Sequence, residues 1–111
     1  MNVVVTGIGA VCALGENTTT IWSAIERGKS GISPIGRFDV SLFDTKLGAL
    51  VPTGDTYDTE EKRLLAYGHA AANEAIQHSG IVDLSCLAMV LGTCNGELGK
   101  EIQAVSNTLA A

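Results

Sequence analysis

The chain has 111 residues, of which 46% are hydrophobic and 17% are charged, and its formal net charge is −5. This balance is typical of a globular domain and excludes a disordered chain. Lysine and arginine are not clustered, so nucleic acid is not an expected partner. No apolar run approaches the ~20 residues that cross a bilayer, and no secretory signal precedes the first apolar stretch. We therefore predict a cytoplasmic protein with one modest core, part of whose surface is covered by more chain or by a partner.

The first predicted element is a strand formed by Val3-Val4-Val5-Thr6, because a continuous apolar run without alternation is typical of a strand covered on both faces. Gly7-Ile8-Gly9 follows it, and a Gly-x-Gly turn after a strand is also found in dinucleotide-binding folds. The third glycine of that fingerprint is replaced by Cys12, and the next helix begins only near Asn17. We therefore expect the two glycines to serve turn geometry.

The next predicted element is a helix with Asn17 as its N-cap, which continues through Arg27 and ends at Gly28. Its expected inner face consists of Ile21, Trp22, Ala24 and Ile25. Residues 29–57 contain prolines and several glycines and are expected to be irregular, apart from an edge strand predicted from Leu47 to Val51.

The second predicted helix begins at a capping box formed by Asp58 and Glu61 and ends at Gly80. Apolar residues recur along it at helical spacing: Leu64, Leu65, Ala71, Ala72, Ala75 and Ile76. Gly68 and the run from Ala70 to Ala72 predict close packing of this helix on a neighbouring element.

A second buried strand is predicted over residues 87–91, and helical periodicity recurs from Leu98 to Leu109. Cys94 lies between them, at a position where α/β enzymes often place a nucleophile. No histidine with an orienting partner accompanies it, so we interpret Cys94 as a packing residue.

The spacing of the three cysteines and the two histidines gives no evidence of a metal site. Cys12, Cys86 and Cys94 lack metal-ligand spacing, and His69 and His78 are not on one helix face. The cysteines are expected to be reduced core residues. Neither a metal nor a cofactor is predicted.

Several segments, taken in order, resemble the N-terminal portion of β-ketoacyl-[acyl-carrier-protein] synthases of the elongating type. They are residues 3–11, Leu14-Gly15, Trp22, Gly28-Lys29-Ser30-Gly31-Ile32, Ile35, Arg37-Phe38-Asp39, Tyr67-Gly68 and Leu91-Gly92-Thr93. The resemblance covers essentially the whole chain. It implies an α/β, partial thiolase-like fold, the N-terminal part of one α-β-α half with a mixed sheet. Residues 1–111 would then be an incomplete N-terminal portion of the synthase N-terminal domain.

The resemblance also implies a function, the decarboxylative condensation of an acyl thioester with malonyl carrier protein in fatty-acid or polyketide synthesis. Synthases of this kind use a cysteine nucleophile and two histidines. No stretch here matches the cysteine motif, and His69 and His78 do not correspond to the catalytic histidines. No catalytic residue is therefore assigned, and the chain alone should be inactive. The alternative is a non-catalytic, ketosynthase-like partner of the chain-length-factor type, or an interaction fragment.

Partners and further sites follow from the same resemblance. The synthases act on acyl carrier protein and dimerise, so a homodimer or a heterodimer with a ketosynthase-type subunit is expected. Cys94 and Asn95 would lie in a turn near the acyl pocket, where the amide of Asn95 replaces the usual apolar side chain and indicates a pocket that is shorter, wetter or unused. Lys62 and Arg63 are candidate docking cations for the carrier protein, although three acidic residues lie just before them.

Overall fold

The computed structural model describes residues 1–53 and 60–92. Within these ranges the chain forms two helices and a two-stranded antiparallel sheet, a small α/β arrangement. In chain order the elements are α1 (Thr18–Glu26), β1 (Ile32–Pro34), β2 (Leu47–Ala49) and α2 (Glu60–Ser79). Neither helix in the described ranges has the length and apolar character needed to span a bilayer. The presence of both helices and strands confirms the α/β class that the sequence predicted.

The C-terminus of α1 ends in the left-handed turn that the sequence predicted. Gly28 has a φ of +62°, which an L side chain rarely adopts. The N–H groups of Gly28 and Lys29 donate to the carbonyls of Ile25 and Ala24, both at 2.9 Å. These two bonds form a Schellman motif, so they satisfy carbonyls that the end of a helix otherwise leaves without a partner.

The N-terminus of α1 depends on Asn17, and Asn17→Ala should lower the free energy of unfolding by about 1 kcal/mol. Asn17 is extended, with φ −156°, and its Oδ1 accepts the N–H of Thr20 at 2.9 Å. Urea denaturation followed by circular dichroism measures the loss. Asn73→Ala, at an exposed position within α2, is the control and should change stability by less than about 0.5 kcal/mol. Equal losses in the two variants would contradict the capping role.

The predicted inner face of α1 is only partly correct. Ala24 is 6% exposed and is the one buried hydrophobic residue in the described ranges. Ile21 is half-buried, whereas Trp22 is 63% and Ile25 is 52% exposed. The prediction is wrong for Trp22 and Ile25, because no described element covers that side of the helix.

The small sheet pairs β1 with β2 in an antiparallel register, with Ile32 opposite Ala49 and Pro34 opposite Leu47. The edge strand predicted from Leu47 to Val51 is confirmed over Leu47–Ala49. The partner strand β1 was not predicted, because Pro34 indicated irregular structure there. A proline is tolerated in this position since a two-stranded sheet consists of edge strands, where not every N–H is needed for pairing.

The two buried strands predicted from apolar runs, over residues 3–6 and 87–91, are wrong for the described structure. Neither run forms a strand. Val3 is 90% and Val90 is 97% exposed. A strand requires a neighbour to accept and donate its backbone hydrogen bonds, and the described strands pair only with each other. The apolar character of these runs is therefore not matched by burial within the described ranges.

Helix α2 is the longest described element and ends where the sequence predicted. It spans Glu60–Ser79, and Gly80 follows with a φ of +69°. The N–H of Gly80 donates to the carbonyl of Gln77 at 3.3 Å. The predicted capping box depends on Asp58, which lies outside the described residues, as does the helix predicted from residue 98 onward.

Candidate functional site

Among the described glycines, Gly7 and Gly9 lie closest to other parts of the chain, where residues 7–10, called the glycine turn below, pass against α2. A Cβ at Gly9 would overlap the carbonyl oxygen of Ala71 and lie 2.9 Å from the nitrogen of Ala75. A Cβ at Gly7 would overlap the carbonyl oxygen of Ala75 and lie 2.8 Å from the nitrogen of Ser79. Neither glycine has a positive φ. The two glycines are therefore required for close approach to the helix, and the expectation that they serve turn geometry is wrong.

The small residues of α2 take part in this contact as the sequence predicted. Ala71 and Ala75 present their backbone to the turn, and both are half-buried. Gly68 differs from the glycines of the turn, because a Cβ there would meet nothing within 4 Å. The close-packing prediction is thus confirmed at Ala71 and not at Gly68.

One carboxylate of α2 binds both the turn and the first residue of α1. Oε1 of Glu74 accepts the backbone N–H of Thr18 at 2.8 Å and the Oγ1–H of Thr18 at 2.5 Å. Oε2 accepts the backbone N–H of Ala10 at 3.1 Å. Because Thr18 opens α1, the carboxylate also lies at the positive end of that helix dipole. Three segments of the chain therefore meet at Glu74.

These contacts favour the ionised form of Glu74. The hydrogen bond from the Thr18 side chain is the largest influence and holds the pKa of the Glu74 carboxyl below its usual value. Partial desolvation opposes this lowering of the pKa, while the N–H groups of Thr18 and Ala10 and the electrostatic influence of His78 add to it. At neutral pH the group is a carboxylate that only accepts hydrogen bonds.

Sequence reasoning did not single out Glu74. The available signal was its spacing: Glu74 lies three positions after Ala71, so the two share a face of the predicted helix. An acid on a face that packs closely needs donors from the neighbouring element. The sequence did not indicate that those donors are Ala10 and Thr18.

The contacts of the glycine turn argue against the binding of a dinucleotide. The backbone N–H groups of Ala10 and Thr18, which follow the Gly-x-Gly segment, donate to the carboxylate of Glu74 and so are already paired. An open cleft of about 580 Å³ lies beside them, lined by Ile8, Ile21 and Trp22 among others. Its lining is mainly apolar and offers no phosphate-binding cluster.

The residues proposed from the sequence do not converge on this contact. Lys62 is exposed and Arg63 is 7% exposed, and both lie in the first turn of α2. Cys94 and Asn95 lie outside the described residues. Cys86 is exposed, which corrects its assignment as a core residue, whereas Cys12 is half-buried. In residues 1–53 and 60–92 no group of three or more His, Cys, Asp or Glu side chains is placed to hold a metal ion.

The described residues thus form a small α/β scaffold, in which the carboxylate of Glu74 on α2 binds the glycine turn and the start of α1. The chain belongs to the β-ketoacyl synthase family, since the family's N-terminal domain, described as "Beta-ketoacyl synthase, N-terminal domain", matches residues 1–109. The resemblance seen in the sequence is thereby confirmed.

Individual relatives agree with this assignment. The chain is 49% identical over 49 residues to 3-oxoacyl-[acyl-carrier-protein] synthase 2 of Coxiella burnetii, covering 44% of this chain and 12% of that protein. It is 33% identical over 90 residues to nodulation protein E of Rhizobium sp. (strain N33), covering 76% and 22%. It is 34% identical over 86 residues to 3-oxoacyl-[acyl-carrier-protein] synthase 2 of Vibrio harveyi, covering 71% and 21%. The chain thus spans 22% or less of the length of each of these relatives.

Proposed function

We propose that this chain forms the N-terminal part of a β-ketoacyl-carrier-protein synthase, which condenses an acyl thioester with malonyl carrier protein and releases carbon dioxide. The observation that carries the proposal is the match of residues 1–109 to the N-terminal domain of the family. In this proposal the nucleophilic cysteine and the two histidines come from outside these 111 residues. The chain contributes scaffold, and by itself it is inactive.

The exposed apolar runs support a larger, thiolase-like sheet. Val3, Val4 and Val5 are 73–90% exposed, and Val90 is 97% exposed. Large contiguous apolar surface is typical of an interface that is covered in the complete assembly. In the proposed synthase, residues 3–6 and 87–91 become strands of a mixed sheet whose neighbours are supplied by the rest of the enzyme.

The partners in this proposal are acyl carrier protein and a second ketosynthase-type subunit, and the site of action is the cytoplasm. Lys62 is the better candidate for docking the acidic carrier protein, because it is exposed whereas Arg63 is 7% exposed. Cys94 and Asn95 remain the proposed residues near the acyl pocket.

A chimera tests the proposal. The segment of the Vibrio harveyi relative that aligns with this chain is replaced by the corresponding residues of the chain, and formation of 3-oxoacyl carrier protein is measured. We expect the chimera to condense acyl and malonyl thioesters, because the grafted segment supplies scaffold and the remainder supplies the reacting groups. The controls are the unaltered relative and a version from which the segment has been deleted, which should be inactive.

Two results would contradict the proposal. One is turnover of malonyl thioester by the 111-residue chain alone. The other is a chimera that folds and dimerises as the unaltered relative does but forms no product; this result would favour the non-catalytic, chain-length-factor type of partner.

A further inference from the structure

Three hydrogen-bond donors from two distant segments converge on one carboxylate. The N–H of Ala10 lies 64 residues from Glu74 in sequence, and the N–H and Oγ1–H of Thr18 lie 56 residues from it. Backbone N–H groups at the start of a helix, together with a nearby hydroxyl, form the arrangement that proteins use to bind oxyanions. Here the occupant of that arrangement is a side chain of the protein itself.

We infer that Ala10 and Thr18 form an oxyanion-binding site that Glu74 fills from within, and that the negative charge of this side chain, as well as its shape, holds the turn and α1 on α2. Glu74 is a positioning residue in this scheme. The inference goes beyond the proposed function, since it concerns how the scaffold assembles and does not depend on condensation.

The chemistry of the donors explains why charge is required. All three groups present hydrogen atoms, and a carboxylate accepts all of them through its two oxygens. A neutral amide at the same place offers one accepting oxygen and one donating NH₂ group, so a donor would face a donor at Ala10 or at Thr18. Charge-assisted hydrogen bonds are roughly twice as strong as neutral ones. Gly7 and Gly9 bring the turn close enough to α2 for this contact to form.

Chemical rescue tests the inference on the 111-residue chain. Glu74→Ala removes the carboxylate, and acetate at neutral pH can restore an oxyanion of matching size. We expect the thermal midpoint of Glu74→Ala to lie below that of the unaltered chain and to rise with acetate until it saturates. Acetate at ten times its dissociation constant should shift the folding equilibrium by about 11-fold. Acetamide and chloride at equal concentration and ionic strength should give no comparable rise.

The matched control is Asn73→Ala, at the neighbouring exposed position of α2. Its midpoint should respond to acetate no more than that of the unaltered chain. Equal stabilisation of Glu74→Ala by acetamide and by acetate, or no stabilisation by acetate, overturns the inference. Neither result bears on the activity of the chimera, so failure of the inference and failure of the proposed function are distinguishable.

A second measurement decides the question if Glu74→Ala does not fold even in acetate. Thr18→Val retains the backbone N–H and the branched shape of the side chain but removes the hydroxyl. Carboxyl ¹³C NMR then reports the titration of Glu74. We expect a higher pKa for Glu74 in this variant than in the unaltered chain, because the 2.5 Å hydrogen bond from Oγ1 of Thr18 to Oε1 of Glu74 is lost. An unchanged pKa overturns the inference.

Discussion

Gly9→Ala should destabilise the fold by on the order of 3 kcal/mol, the upper part of the range for overpacking substitutions. The added methyl group would overlap the carbonyl oxygen of Ala71 and come within 2.9 Å of the nitrogen of Ala75. Both are backbone atoms inside α2, so neither can rotate away as the end of a flexible side chain does. Movement of the turn would also lengthen the adjacent hydrogen bond from Ala10 to Glu74. Urea denaturation followed by circular dichroism measures the loss.

The matched control is Gly68→Ala, within α2 itself. Nothing lies within 4 Å of a Cβ at Gly68, and alanine is favoured over glycine inside a helix by roughly 0.5–1 kcal/mol. The same chemical change should therefore stabilise the chain at Gly68 and destabilise it at Gly9. If the two variants changed stability in the same direction, the close contact between the turn and α2 would not exist in solution.

The helix ends could be predicted from the sequence because their causes are local. Asn17 accepts a hydrogen bond from a residue three positions later, and Gly28 adopts a left-handed conformation that a side chain would disfavour. Gly80 ends α2 in the same conformation. Each signal acts within one turn of helix, so one segment of sequence contains it completely. The family, too, could be predicted from short motifs, and the match of residues 1–109 to the family's N-terminal domain confirms it.

The candidate site could not be predicted because its parts are far apart in the chain. Glu74 is 56 residues from Thr18 and 64 from Ala10, and no local pattern pairs them. The role of Gly9 could not be predicted either, because the sequence alone does not distinguish a glycine needed for close approach to another element from one needed for a turn. The apolar runs show a third limit, because hydrophobicity indicates that a segment is buried somewhere without indicating what covers it.

Val4→Asp, in the apolar run of residues 3–6, should be tolerated in the 111-residue chain but should abolish the condensing activity of the chimera. Val4 is 73% exposed here, so an aspartate at this position remains in water and should change stability by no more than about 0.5 kcal/mol. In the proposed sheet the same position is covered on both faces. An unpaired carboxylate buried there would cost several kcal/mol. Denaturation of the chain and condensation by the chimera are the two measurements.

Val82→Asp is the control, because Val82 is 94% exposed but lies in neither apolar run. It should be tolerated in the chain and in the chimera alike. The contrast between the variants separates side-chain exposure that is lost when the synthase assembles from exposure that persists in it. If both variants retained full condensing activity in the chimera, residues 3–6 would not be an internal strand of the synthase. If Val4→Asp instead unfolded the isolated chain, the run would already be buried in solution, and no further strands would be needed to cover it.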